Sequence, residues 1–404
     1  MKVLCVLGRH NYGRVERGAS YEAANFLPAL KNIGHEVVLF DSWERECYGD
    51  FIELNRAFLA TVEREQPDII FCVLLGYELW LETLELAKQV SGACLINWAT
   101  DDSWKYEEFS RWVAGAFDIY ATTYRSALDK AQRDGYDHFF LTQWAAPASL
   151  LQAPKAAQDC RYPVSFVGAA YGNRLKWVEQ LRQRGIEVNC FGHGWAGGVV
   201  ASADVPRIIN DSVISLNFGD SGLRLQGGRL QYTRQIKARV FEVPAAGGCL
   251  LTEPAENLDD YFSVGEDIAL YQTLDELADK IHRLLESPQQ RDHMAQSGHA
   301  RVRDEHTYEA RFNRLFERVA MVRATRVAKP LGNQVFEDLV ARHRLSSGLR
   351  VLRRGLVWLG VVLWGRQRGP RAARRLLFEL SWRVARRHTY TAAGWPGRLF
   401  YHES

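Results

Sequence analysis

Arg234–Thr252 reads RQIKARVFEVPAAGGCLLT. Its first part has helical periodicity, with Val240 and Phe241 on one side and Lys237, Arg239 and Glu242 on the other. The pair Gly247-Gly248 then ends the helix, and Cys249–Thr252 opens an apolar strand. A helix, a glycine turn and a short buried strand make the crossover of a parallel α/β sheet. The polar residues have a chemistry of their own. Cations and helix N–H groups suit a pyrophosphate, a carboxylate suits a ribose diol, and glycine permits close backbone approach. Spacing alone favours a solvated amphipathic helix with Glu242 as a surface ion-pair partner, because such patterns are common.

The same rhythm runs outward in both directions. Short apolar runs at Val3–Leu7, Glu36–Phe40, Asp68–Leu75, Ala93–Ala99, Ile119–Thr123 and His138–Gln143 read as strands, with helices expected at Tyr21–Lys31, Leu79–Val90, Tyr106–Phe117 and Ser126–Asp134. Residues 147–163, with Pro147, Pro154 and Pro163, break the pattern and read as a linker. Alternation then resumes through Val164–Ala169, Glu187–Phe191, Val213–Phe218, Cys249–Thr252 and Ile268–Tyr271. The expected fold is α/β: two Rossmann-like doubly wound domains (1–146 and 164–300) facing a cleft, a closing helix over 301–329, and a helical C-terminal extension over 330–404. In such sheets ligands bind where loops leave the carboxyl ends of the strands.

The chain has 404 residues, is 47% hydrophobic and 25% charged, and carries a net +3. That composition excludes disorder, collagen and small disulfide scaffolds. Seven cysteines without a CxxC pair read as free thiols, and no grouping of residues has metal-ligand spacing. The charge is uneven. Arg342–Ser404 holds fourteen Arg and two acids, a net +12, leaving −9 on the rest of the chain. A basic segment of this strength implies an anionic partner. The apolar run after Met1-Lys2 spans five residues, short of the roughly 7–15 in a secretory signal, which points to the cytoplasm.

Lys237, Arg239, Phe241, Glu242, Ala245, Gly247, Gly248, Leu250, Leu251 and Thr252 fit the run K-x-R-x-F-E-x-x-A-x-G-G-x-L-L-T. The segment resembles the donor-binding signature of GT-B glycosyltransferases, in particular the bacterial group similar to spore maturation protein CgeB. Val164–Arg174 (VSFVGAAYGNR), Phe191–Trp195 (FGHGW), Ile214–Phe218 (ISLNF) and His306–Phe312 (HTYEARF) extend the resemblance over most of residues 1–325. It implies sugar transfer from a UDP- or GDP-type nucleotide sugar, without a metal or other cofactor. Glu242 would hold the ribose, Lys237 and Arg239 the diphosphate, and Gly168, Arg174, His193, Gly247 and Gly248 would contact the donor. One departure stands out. Many retaining relatives carry a second Glu eight positions before the ribose Glu, and here that position is Arg234.

Ala93–Asp102 (ACLINWATDD) runs a buried strand into two acids. Asp101 and Asp102 are candidates for deprotonating an acceptor hydroxyl, with capping of the next helix as the alternative. His10, in the polar loop after the first strand, is a third catalytic candidate, and the aromatic run Trp104–Trp112 offers either sugar stacking or a packed helix face.

In the extension, Gly355–Gly365 (GLVWLGVVLWG) is uncharged, and as a helix would reach about 16 Å, half a bilayer's hydrocarbon thickness. Arg371–Arg387 places Leu residues on one face and Arg around the rest. Trp358, Trp364, Arg374, Arg375 and Trp382 are therefore expected at an anionic membrane surface, peripheral to the inner face of the cytoplasmic membrane. Packing on the body is the alternative, and nucleic acid is not expected as a partner. The function expected is transfer of a sugar to a cell-envelope glycan or lipid-linked acceptor. The alternatives are a non-catalytic nucleotide-sugar-binding or scaffold protein of polysaccharide assembly, and a nucleotide-sugar epimerase.

Overall fold

The computed structural model describes residues 1–226, 229–320, 328–330 and 332–403. The chain divides into two units, Met1–Gln143 with Phe312–Ser404 (unit 1) and Trp144–Arg311 (unit 2).

Unit 1 is built on six parallel strands: β1 (Lys2–Leu7), β2 (Glu36–Asp41), β3 (Ile69–Cys72), β4 (Cys94–Ala99), β5 (Ile119–Thr122) and β6 (Phe139–Leu141), in the order β2-β1-β3-β4-β5-β6. β3 and β4 are buried at every position, as a parallel sheet covered on both faces requires. Ser20 caps the helix Tyr21–Asn32, its Oγ accepting from the Ala23 N–H at 3.0 Å. A helix at Phe51–Glu65 has no counterpart among the expected elements, although Phe51, Leu54, Phe58 and Val62 are spaced for one face and fully buried. The helix expected at Tyr106–Phe117 is broken into a π turn (Tyr106–Ser110), an α turn (Arg111–Val113) and a 3-10 turn (Ala114–Ala116).

Unit 2 holds β7 (Tyr162–Val167), β8 (Asn189–Phe191), β9 (Ser212–Asn217), β10 (Asp220–Gln226), β11 (Arg229–Arg234), β12 (Leu250–Thr252) and β13 (Ala269–Leu270). Five of these form a parallel sheet in the order β13-β12-β9-β7-β8, and β10 and β11 pair separately as an antiparallel ribbon that was not expected. The segment 147–163 is bonded into unit 2 and does not run free as a linker. Gln152 N–H donates to the Ala245 carbonyl at 3.0 Å. The fully buried Arg291 donates to the carbonyls of Lys155 (2.6 Å), Val213 (2.7 Å) and Ser212 (2.8 Å).

The chain re-enters unit 1 within the helix Tyr308–Glu317, where the Phe312 ring packs among Phe26, Phe71 and Trp98. Of the expected 301–329 helix, residues 321–327 lie outside the described ones. Beyond it come the helices Asn333–His343, Ser347–Ala385 and Trp395–Leu399. The long one is a hairpin. Gly365 (φ 79°, ψ 168°) breaks it, and a Cβ on Gly360 would stand 2.4 Å from the Gly369 carbonyl oxygen, so only glycine lets the two arms approach here. The extension is part of unit 1's core, to which Leu339, Phe378, Tyr390, Ala392 and Tyr401 belong. Among the described residues no helix is long and apolar enough to cross a membrane.

Candidate functional site

In unit 1 the strand order reverses between β1 and β3, and the loops leaving β1, β2, β3 and β4 open at their carboxyl ends onto a cavity of about 960 Å³. The β1 loop contributes His10, Arg14 and Arg17, and is held in shape by Asn11 Nδ2 donating to the carbonyls of Arg17 (3.1 Å) and Ala19 (2.9 Å). The β2 loop adds Trp43 and Arg45, and the β3 loop adds Tyr77 and Glu78. Glu78 is satisfied internally, accepting from the N–H groups of Leu75 (2.7 Å) and Gly76 (2.6 Å) and from Trp43 Nε1 (3.2 Å). The loop after β4 brings Asp101, Trp104 and Lys105, and the π turn brings Glu108 and Phe109. π turns recur at functional sites, where the extra residue re-aims side chains.

The three catalytic candidates part company here. His10 and Asp101 line the cavity. The Asp101 carbonyl accepts from Trp104 and Lys105 while its side chain makes no capping hydrogen bond, so capping does not occupy the carboxylate. Asp102 does not line the cavity. It is 2% exposed and faces the interior, where Ser110 Oγ donates to it and Tyr120 in turn donates to Ser110 Oγ at 2.8 Å. Burial pushes its carboxyl up to about 6, against the pull of the Ser110 and Thr122 hydroxyls. Asp102 is thus a core polar group and not an acid facing solvent. The cavity also holds Glu22, from the first turn of the helix after β1, which is not among the residues expected from the sequence. Burial raises the Glu22 carboxyl above its ordinary value, and the neighbouring Asp101 charge adds to the rise. Two coupled carboxylates beside an open cavity can take a proton from a bound hydroxyl.

The residues expected at a membrane also separate. Trp358 and Trp364 are 68% and 53% exposed, alongside Leu359, Val362 and Leu363. Arg374 and Arg375 instead line the unit 1 cavity, and Arg375 pairs with Glu379 (2.6 Å) and Glu108 (3.4 Å). Trp382 is partly buried against the core, its Nε1 donating to Glu379 at 3.1 Å. The charge of the extension is legible in its composition, but which arginines turn inward is decided by the hairpin.

In unit 2 the expected donor residues lie in the loop after β7 (Gly168, and Arg174 opening the next helix), after β8 (His193) and between β11 and β12 (Lys237, Arg239, Glu242, Gly247, Gly248), with differing duties. Arg174, buried, donates to the carbonyls of Ala169 (2.9 Å) and Phe218 (3.1 Å) and to the Tyr171 hydroxyl (2.9 Å), and so ties the β7 loop to the end of β9. Gly168 belongs to the same loop, its carbonyl accepting from Trp195 Nε1 at 2.8 Å, and His193 is exposed. Lys237 donates to Gln235 at 3.2 Å. Arg239 and Glu242 share the first turn of the helix Arg239–Ala245, where they pair at 3.1 Å. Gly247 and Gly248 have an internal explanation. Gly247 has φ +78°, and its Cβ would meet the Gln152 carbonyl and Pro154 Cα at 2.8 Å; a Cβ on Gly248 would meet Ile209 at 2.6 Å. These two glycines serve packing within unit 2, not approach to a ligand. Arg234, the departure from the expected second Glu, pairs with the buried Glu253 at 3.2 Å, and Glu253 also accepts from the Gly219 N–H at 2.9 Å. Among the described residues no three His, Cys, Asp or Glu side chains gather in a way that could hold a metal ion.

Residues 174–317 match the family model described as glycosyl transferase-like. No curated protein sequence matches the chain. Several solved structures are similar in fold. The Anabaena protein HepE, in complex with UDP and glucose, aligns with 11% identity and a TM-score of 0.55, covering 80% of this chain and 100% of that one. Sucrose-phosphate synthase from Thermosynechococcus elongatus aligns with 12% identity and a TM-score of 0.54 over the same shares. A glycosyltransferase from Rickettsia africae aligns with 10% identity and a TM-score of 0.55, covering 80% and 99%. What is common at these identities is the fold: α/β, two Rossmann-like units of the GT-B type, followed here by a helical C-terminal region.

Proposed function

We propose that the protein is a metal-independent GT-B glycosyltransferase of the CgeB-like group. It would move a hexosyl or related unit from a nucleotide-diphosphate sugar to a cell-envelope glycan or lipid-linked acceptor. The observation that carries this reading is the glycosyl transferase-like match over residues 174–317, which includes Arg174, Lys237 and the Arg239–Glu242 pair. HepE is solved with UDP, which makes UDP the first carrier to test and GDP the second. In this reading unit 2 is the donor side. Glu242 accepts the ribose hydroxyls, and Lys237 and Arg239 meet the charge that develops on the departing diphosphate. Unit 1 is the acceptor side. An acceptor hydroxyl gives its proton to the Glu22–Asp101 pair as its oxygen bonds to the anomeric carbon, and the bond from that carbon to the diphosphate oxygen breaks.

The exposed stripe Trp358, Leu359, Val362, Leu363 and Trp364, with arginines on either side, supports peripheral attachment to an anionic membrane face in the cytoplasm. A second reading, a protein that binds a nucleotide sugar without transferring it, is favoured by Arg234 standing paired with Glu253 where many retaining relatives carry a Glu. Thermal-shift titration with UDP- and GDP-sugars, followed by mass-spectrometric detection of free nucleoside diphosphate, tests both. Stabilisation with release supports transfer, stabilisation without release supports the second reading, and no response to any nucleotide refutes both.

A further inference from the structure

Where the C-terminal hairpin closes the unit 1 cavity, Arg371, Arg374, Arg375 and Phe378 lie on one side of its second arm. Arg375 is committed to Glu108 and Glu379. Among the described residues, no carboxylate pairs with Arg371 or Arg374, and Arg374 Nε is buried without a hydrogen-bond partner. Against Arg374 lies Tyr77, 5% exposed, whose buried hydroxyl proton finds no carbonyl or carboxylate among the described residues. Burial raises the titration of that hydroxyl, and Arg374 opposes the rise most, by its charge and as a donor to the phenol oxygen, followed by the charge of Arg45. A guanidinium Nε with no acceptor and a phenol proton with none, side by side in one cavity wall, are costly unless an anion completes them. Phosphate fits the forked geometry of arginine and accepts from a hydroxyl at the same time. The opposite face of the same helical arm exposes Leu376, Leu380 and Val384 by 55%, 53% and 65%, an apolar stripe on the outer side of the wall that the arginines line from within.

We infer that Arg371, Arg374 and Tyr77 form an acceptor-phosphate subsite that takes the phosphate of a lipid-linked acceptor, with the outer stripe of the same arm alongside the lipid chain. The inference rests on the glycosyltransferase reading and specifies its acceptor. It also assigns the basic extension a second duty inside the site, beyond attraction to a surface.

The test is calorimetric titration of the full chain with farnesyl diphosphate, inorganic pyrophosphate and farnesol, with UDP and GDP titrated in parallel. Farnesyl diphosphate binds the wild-type protein tightest, and farnesol and pyrophosphate each bind at least about tenfold more weakly. Arg371→Ala and Arg374→Ala each weaken farnesyl diphosphate by about tenfold and Tyr77→Phe by severalfold, with nucleotide binding unchanged. Arg371 is exposed and Tyr77→Phe keeps the ring, so these two variants fold whatever becomes of Arg374→Ala. Wild-type affinity in Arg371→Ala and Tyr77→Phe overturns the subsite, and pyrophosphate binding as tightly as farnesyl diphosphate overturns the lipid assignment. Absence of UDP and GDP binding by the wild-type chain refutes the donor reading instead, whichever way the farnesyl diphosphate titration falls.

Discussion

Arg375 Nη2 stands 3.4 Å from Glu108 Oε2, joining the second arm of the C-terminal hairpin to the π turn of the N-terminal sheet across 267 residues of sequence. The Tyr390 hydroxyl donates to the carbonyl of the same Glu108. What composition presents as a basic tail is therefore a wall of unit 1, and its arginines divide between an interior cavity and an outer surface.

Ending the chain at Lys329 removes Leu339, Phe378, Tyr390 and Tyr401 from the unit 1 core. Loss of one large buried side chain costs about 3–5 kcal/mol against a total stability of about 5–15 kcal/mol. The shortened chain is expected to aggregate or to lose its cooperative melting transition in calorimetry. A truncated protein that melts with the full chain's Tm contradicts the integration described above.

Surface attachment calls for a gentler test than truncation. Trp358→Ser combined with Val362→Ser and Trp364→Ser changes only side chains that are more than half exposed, so Tm is expected to move little. Flotation with phosphatidylglycerol vesicles is expected to fall by an order of magnitude or more, since each buried apolar side chain contributes roughly 1.5–3 kcal/mol. Undiminished flotation would show that the stripe does not meet the bilayer.

Glu22 titrates above the ordinary glutamate range because burial and then Asp101 disfavour its charge. A base must be ionised to act, so the transfer rate is expected to climb as pH rises through that raised value. Glu22→Gln is expected to flatten the climb and lower kcat by about 10²–10⁴-fold, and Asp101→Asn to shift the climb to lower pH by removing the repelling charge. A pH–rate profile of the three proteins checks both statements.

Asp102 gives a stability prediction of definite sign. Its folded value of about 6 lies above its ordinary 3.8, so the folded state holds the proton more tightly. Its contribution is fully present below about 3.8 and is lost as pH rises to about 6, with nothing further lost above. Asp102→Asn, which keeps an oxygen for Ser110, is expected to gain roughly 1–3 kcal/mol relative to wild type on going from pH 4 to pH 7.5. Urea melts at the two pH values measure the difference, and an equal wild-type-to-variant gap at both would contradict the burial argument.

Both parallel sheets were legible in the sequence because their strands are short, apolar and spaced by crossover helices. The same signal was present and passed over in Phe51–Glu65, where Phe51, Leu54, Phe58 and Val62 mark one helical face. The alternation of Leu223 and Leu225 with Leu230 and Tyr232 likewise announced the ribbon β10–β11. His10 and Asp101 line the cavity because each stands in the loop just past a strand's carboxyl end. Glu22 was not legible, since an acid in a first helical turn is ordinary, and its burial beside Asp101 is a tertiary fact. Gly247-Gly248 misled for the opposite reason. Their sequence suits a ligand, but the space a Cβ would need is already filled by Gln152, Pro154 and Ile209. The hairpin around Gly365 decides the fates of Arg374 and Trp364, and eleven uncharged residues give no hint of which way each arm turns.

The most direct measurement of the central claim is nucleoside diphosphate released from UDP- and GDP-sugars by the full chain, compared with Glu242→Gln at matched concentration. The account predicts steady release by the wild-type protein from at least one donor, lowered by about tenfold or more in the variant, with Tm within a few degrees. No release from any donor by a folded wild-type protein, or equal release by Glu242→Gln, would contradict it.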